Sequence, residues 1–152
     1  MPRSEVVKAL AAMPDRVAAA LSGLTAHSLT SPPAPGAWSA FQVLCHMRDA
    51  AIVYSGRFRW MVFDESPVLP NYDEDNWVAA SVDTVDDLDA ILAELRASRT
   101  DLVRILERVP DAAWLRTGRH EVLGIVTLEP YVRHQFAHEE IHLAQLESAP
   151  RG

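Results

Sequence analysis

Apolar positions along this chain recur at three- and four-residue intervals, and period-two alternation never lasts more than a few residues, so helices dominate the expected structure. Residues 4–12 and 15–22 read as a helix interrupted at Pro14, with Asp15 just inside the restart and Gly23 as a stop. Ser31-Pro32-Pro33-Ala34-Pro35-Gly36 cannot continue a helix and forms an irregular connection. Ser39 then opens a long helix to about Phe63, and Ser39-x-x-Gln42 has the form of a capping box, in which each residue satisfies a free amide of the other. Residues 64–82 form a long link with two prolines, acidic side chains, Tyr72 and Trp77. Links of that length cross the end of a bundle or help to form a site. Thr84 caps a third long helix over 85–109, ended by Pro110. Residues 111–126 make another connection, with a short turn around Ala112-Ala113-Trp114. Thr127 caps the last helix, which tolerates Pro130 in its first turn and runs to about Glu147. The expected fold is all-α: a four-helix bundle with a long crossover between its second and third main helices, formed by residues 1–152 as a single domain.

Composition narrows the function classes. With 49% hydrophobic and 23% charged residues the chain is globular rather than disordered. A net charge of −7 without a Lys/Arg cluster argues against a nucleic-acid or anionic-membrane surface. Cys45 is the single cysteine, which excludes an internal disulfide and suits a reducing compartment. The first residues, Met1-Pro2-Arg3-Ser4-Glu5-Val6-Val7-Lys8, lack the apolar stretch of a signal peptide, and no apolar run reaches the roughly 20 residues that span a bilayer. A cytoplasmic protein acting on a small molecule is expected, with a homodimer compatible with the aromatic residues of the 64–82 link.

The chemistry concentrates in the last helix, where His134, His138 and His142 stand four residues apart. Each step of four turns the side chain only about 40° further round a helix, so the three form one stripe. Neighbours on the stripe have Cβ atoms roughly 5–6 Å apart and can share a metal ion, whereas His134 and His142, about 12 Å apart, cannot. The stripe therefore supplies two ligands and the third must come from elsewhere. His27 and His120 fall in connections, where a solvated imidazole is the commoner state. His46 lies mid-helix on a face shared with Gln42, Asp49, Val53, Arg57 and Trp60. That mixed face reads as the wall of a polar cleft inside a bundle, with Asp49 able to orient an imidazole; it reads equally as an exposed helix face. Cys45 points about 100° away from His46 and is expected to be a buried, inert thiol.

His138-Glu139-Glu140-Ile141-His142 also matches H-E-x-x-H, in which a zinc protease's two histidines bind metal and its glutamate activates water. The longer protease pattern needs a further histidine downstream, and none follows His142; nor is there a strand signal for a sheet edge that binds an extended peptide. Glu139 lies about 100° off the ligand stripe.

Several separated marks together resemble the DinB/YfiT-like metalloenzymes over roughly residues 14–147. They are Trp38-Ser39 followed by Gln42, Leu44, His46 and Asp49; Arg99 with Leu102 and Leu106; Gly124 through Thr127-Leu128; and His138-x-x-x-His142-x-x-Gln145-Leu146. The resemblance implies a four-helix bundle in which His46, His138 and His142 bind one divalent metal. It selects His138 and His142 over His134 and His138, because Gln145-Leu146 follows at the family's distance; His134 is then a structural histidine or a cleft residue. It implies no DNA binding, in keeping with the charge.

Three neutral imidazoles leave coordination positions open, which marks a catalytic rather than a structural site, and suit zinc or nickel, with iron a third candidate. What the resemblance implies for activity is transfer of a low-molecular-weight thiol, of bacillithiol or mycothiol type, to an electrophile in detoxification or stress response. Arg57, Trp60, Tyr131 and His134 are the candidate substrate contacts and Asp49 the candidate support for a ligand; no catalytic residue is assigned. Two alternatives stand beside this expectation: a non-catalytic metal- or ligand-binding dimer, and a metal-dependent hydrolase using Glu139 as base.

Overall fold

The computed structural model describes residues 1–151. Four long helices carry the fold: α1 (Arg3–Leu21), α3 (Ala40–Phe63), α5 (Leu88–Arg108) and α6 (Leu128–Glu147); two short ones, α2 (Ala26–Thr30) and α4 (Glu74–Ala79), lie in the connections. The mostly helical four-helix bundle agrees with the sequence pattern. Both α1 and α3 pack against α5 and α6, so α1 and α3 stand diagonally across the bundle, as do α5 and α6. Ion pairs reveal the directions. Arg3–Glu129 and Arg16–Glu140 make α1 and α6 parallel, and Arg48–Glu94 with Arg59–Asp101 do the same for α3 and α5. His46 meets His138 while Arg57 meets Tyr131, so α3 and α6 are antiparallel.

The core divides along the bundle axis. One half gathers Leu10, Phe58, Leu102 and Leu128, the other Met13, Leu44, Leu95 and Leu146, and Phe136 packs against both. Each of the eight leucine, methionine and phenylalanine side chains named for the two halves is fully buried and contributes on the order of 1.5–3 kcal/mol, whereas Phe136 is partly buried. That burial explains why Pro14 fails to interrupt α1. The helix runs unbroken from Arg3 to Leu21, because Leu10, Met13, Val17 and Leu21 on either side of Pro14 are all buried and hold it in register. Proline in a helix interior costs about 3 kcal/mol, less than this face returns. Gly23, with φ 79°, does end the segment as expected. The Ser39–Gln42 capping box is present at the start of α3. Thr84 instead begins a tight turn over Val85–Asp87, where the Asp87 carboxylate accepts from the Thr84 amide and hydroxyl, and α5 starts only at Leu88.

A small sheet, not expected from the sequence, sits in the connections of this otherwise helical bundle. The long link contributes β1 (Val68–Leu69), and the connection before α6 contributes β2 (Thr117–His120) and β3 (Gly124–Thr127), in the order β1-β2-β3. β1 runs parallel to β2, pairing Leu69 with His120, and β2 and β3 form an antiparallel hairpin. Strands of two to four residues leave too short an alternation to read from sequence. Their effect is to clamp the α3–α5 crossover onto the entry of α6, beside the histidines. No helix among the described residues is long and apolar enough to cross a membrane.

Candidate metal centre

Three imidazoles from two antiparallel helices converge. His46 of α3 places Nε2 3.1 Å from His138 Nε2, and His142 Nε2 lies 3.0 Å from the same atom. His46 is 1% exposed and His142 9%, with His138 only partly open. The four-residue step brings the His138 and His142 rings within 4.4 Å on α6, and α3 brings His46 across to 4.6 Å from His142. His134 is one further step away, exposed, and its ring stacks on Tyr131.

This donor set fits a metal ion. Two nitrogens bound to one tetrahedral ion at about 2.0–2.1 Å stand roughly 3.3–3.4 Å apart, close to the spacings observed. The Gln145 Oε1 atom accepts from His142 Nδ1 at 2.8 Å, which puts the proton on Nδ1 and leaves the Nε2 lone pair facing the cluster. Nδ1 of His46 and of His138 are buried without a hydrogen-bond partner. Burial, together with the neighbouring imidazoles, holds the pKa of His46 down to about 3 and of His138 down to about 4, so both are neutral donors at physiological pH. Lone pairs aimed at one another repel, and a cation among them converts that repulsion into coordination.

Beside His138 opens a polar cleft of about 330 Å³, walled by Arg57, Tyr72, Glu74, His120 and His134. Arg57, 2% exposed, donates from Nη1 to Tyr131 Oη at 3.0 Å and from Nε to the Pro70 carbonyl, so both the sheet-bearing link and α6 hold it in place. Burial pushes the Tyr131 and Tyr72 phenols up from their ordinary values, keeping both as neutral hydrogen-bonding groups. Glu74, half exposed at the start of α4, has a carboxylate oxygen 3.7 Å from His46 Nε2. A surface groove of about 610 Å³ along Val62, Ile105 and Ala113 shares no residue with the histidines.

Several expected contacts lie elsewhere. Asp49 does not support His46: its Oδ1 accepts from Arg48 Nε at 2.7 Å, and Arg48 also binds Asp83 and Glu94, a cross-link from α3 to the crossover and α5. Trp60 is 43% exposed and lies outside both the cluster and the cleft, because helical spacing along so long a helix carries it well beyond the site. His120 is not a solvated loop residue; it is buried, and its Nδ1 accepts from the Val122 and Leu123 amides at 3.1 Å, pinning the β2–β3 turn. Burial and the nearby Arg57 lower its pKa. His27 is exposed on α2. Cys45 is buried, and burial pushes its thiol up to about 11, which disfavours the reactive thiolate. Glu139 points away from any base role. It is 1% exposed and ion-paired to Arg99, 2% exposed, with Gln135 Nε2 donating to it at 2.8 Å. Since α5 and α6 are diagonal, this pair spans the bundle centre.

Glu74, Tyr72 and His120 were not singled out by sequence reasoning as parts of the cleft. Their one signal was the unusual length and polar-aromatic content of the two connections that carry them.

A four-helix bundle with three converging imidazoles and an adjoining polar cleft defines a helical protein suited to binding a divalent metal. The family profile of the DinB superfamily matches residues 9–146, and the chain belongs to that superfamily. A protein of Geobacillus kaustophilus, provisionally named a metal-dependent hydrolase, is 26% identical over 145 residues, covering 95% of this chain and 82% of its own. YfiT of Bacillus subtilis, under the same provisional name, is 25% identical over 146 residues with 95% and 82% covered. A solved structure of Bacillus subtilis YfiT, described as having an unusual four-helix bundle topology, superposes with a TM-score of 0.89 at 24% identity, over 95% of this chain and 83% of that one. In this chain the diagonal placement of α1 and α3 departs from a simple up-and-down bundle.

Proposed function

We propose that the protein is a metal-dependent S-transferase. His46, His138 and His142 hold one divalent cation, zinc or nickel with iron a third candidate, and a low-molecular-weight thiol of bacillithiol or mycothiol type is joined to a small electrophile in detoxification or stress response. The observation that carries this reading is the donor set: three imidazoles, with no thiolate or carboxylate among them, at the edge of a cleft containing Arg57. When bound there, a divalent cation supplies Lewis acidity and brings a thiol or water toward ionisation near neutral pH.

The protein's own groups then divide the work. Arg57 offers a fixed positive charge to the carboxylates of a bacillithiol-type thiol or to the amide and hydroxyl oxygens of a mycothiol-type one, positioned by Pro70 and Tyr131 before any substrate arrives. Glu74, beside His46, accepts the thiol proton. The sulfur forms its bond to carbon as the electrophile's bond to its leaving group breaks, the electron pair departing with that group. The test is conjugation of bacillithiol or mycothiol to monobromobimane by zinc- or nickel-loaded protein, followed by mass spectrometry. Product formation above the uncatalysed rate, lost in Arg57→Met or Glu74→Gln, supports the reading; no acceleration with either thiol refutes it.

Metal-dependent hydrolysis is a second reading, favoured by the position of Glu74. The same carboxylate can take a proton from water, and the relatives' provisional names point that way. Hydrolysis of esters or amides by the metal-loaded protein, abolished in Glu74→Gln and untouched in a folded Glu139→Gln, would favour it over the transferase.

A further inference from the structure

Two clefts reach the histidines. The polar one lies on the His138 side; a second, of about 360 Å³, reaches His142 and Gln145 from beneath Trp38. Helix α4 divides them, with Glu74 lining the polar cleft and its neighbour Asp75 lining the other. The Trp38 ring stands 4.9 Å from the His46 ring and 6.3 Å from that of His142, so an aromatic wall abuts two of the three candidate ligands. Pro33, Ala37, Val43 and Pro150 add apolar surface beside Trp38, and the uncharged Ser28, Ser31, Gln145 and Ser148 supply the polar part of the lining.

The two clefts also differ in charge. Arg57 makes the first attractive to anions, whereas among the described residues the only carboxylate or basic side chain lining the second, besides the imidazole of His142, is Asp75, which repels them. Flat apolar rings stack favourably on an indole, and 360 Å³ lies within the range that holds a small ligand.

We infer that the cleft beneath Trp38 is a second small-molecule site, selective for a neutral, flat, apolar ligand, and that it presents this ligand to the histidine cluster from the side opposite the Arg57 cleft. Its role as the electrophile's site rests on the transferase reading; the existence of the site does not. A thiol held at Arg57 and an uncharged electrophile would thus approach the same three histidines by separate routes, and neither would have to leave for the other to enter.

The experiment is nitrogen-15 NMR of the zinc-loaded protein titrated with 4-nitrobenzyl alcohol, a neutral ring, and with 4-nitrobenzoate, the same ring carrying a charge. The alcohol is expected to shift the Trp38 indole and Ala37 signals, and the benzoate those of Arg57 and His120, with each probe binding in the presence of the other. Ala37→Trp, at an exposed position outside the helices, fills the cleft and should weaken the alcohol about ten-fold or more without loss of zinc. Asp75→Lys should admit the benzoate beneath Trp38. Competition between the probes, shifts of the alcohol confined to the Arg57 cleft, or an unchanged affinity in Ala37→Trp would each overturn the inference. Separate binding without any conjugation activity would remove the transferase reading and leave the second site standing.

Discussion

Replacing Arg99 by leucine exposes what Glu139 is for. The guanidinium is 2% exposed and its partner carboxylate 1%, and they meet across the diagonal of the bundle. Without Arg99 the buried carboxylate keeps only the 2.8 Å hydrogen bond from Gln135. Removing one partner of a buried ion pair costs about 3–5 kcal/mol, because a charge is stranded in a medium that cannot solvate it. For a chain of this size each kcal/mol lowers the melting temperature by about 2–4 °C, so Arg99→Leu should melt about 6–20 °C lower. Urea unfolding followed by far-ultraviolet circular dichroism gives the free energy directly. The double variant Arg99→Leu/Glu139→Leu removes both charges and should recover most of the loss. A cost below about 1 kcal/mol for Arg99→Leu, or a double variant no better than the single one, would show that the pair does not bridge the core as described.

Other expectations follow from single contacts. Gln145→Leu removes the acceptor that fixes the tautomer of His142, and metal affinity measured by competition with a chelator should fall about 10–100-fold with the fold retained; an unchanged affinity would sink that role. Gly118→Ala places a Cβ 2.9 Å from Leu69 Cδ1 and 3.2 Å from Met61 Cγ, and should cost about 1–3 kcal/mol in urea by forcing the sheet off α3. A neutral result there would mean that β1 and β2 can part without penalty. In the metal-free protein, His46 and His138 have folded pKa values of about 3 and about 4, against an ordinary unfolded value of about 6.5. As pH falls through that window the unfolded chain takes up protons first, so stability is full above about pH 6.5 and lost toward pH 4. The melting temperature should therefore drop between pH 7 and pH 5, and less steeply in His46→Ala; a rise on acidification would contradict the burial of neutral imidazoles.

The ends of α3 and the length of α6 were legible because capping chemistry and helical periodicity are local. The four-residue spacing on α6 made a ligand pair legible but offered two of them, and only the resemblance chose His138 and His142 over His134 and His138. His46 was harder: its face mixes polar and apolar residues, and only the resemblance distinguished a cleft wall from a solvated surface. Asp49 and Trp60 share that face, yet spacing on one helix says nothing of what the next helix supplies, and Arg48 claims Asp49. Pro14 misled because its local cost is outweighed by core packing that sequence position does not reveal. The sheet, His120 and Glu74 depend on contacts between connections roughly 50 residues apart in the chain, such as Leu69 with His120, and no local signal encodes such a pairing.

The central claim is that one metal ion is held jointly by α3 and α6. Elemental analysis of the purified, metal-loaded protein, alongside His46→Ala and His138→Ala checked for folding by circular dichroism, tests it most directly. One zinc or nickel per chain in the parent and near zero in both folded variants is the predicted result. Full metal content in either variant, or none in the parent after loading with excess zinc and nickel, would contradict it.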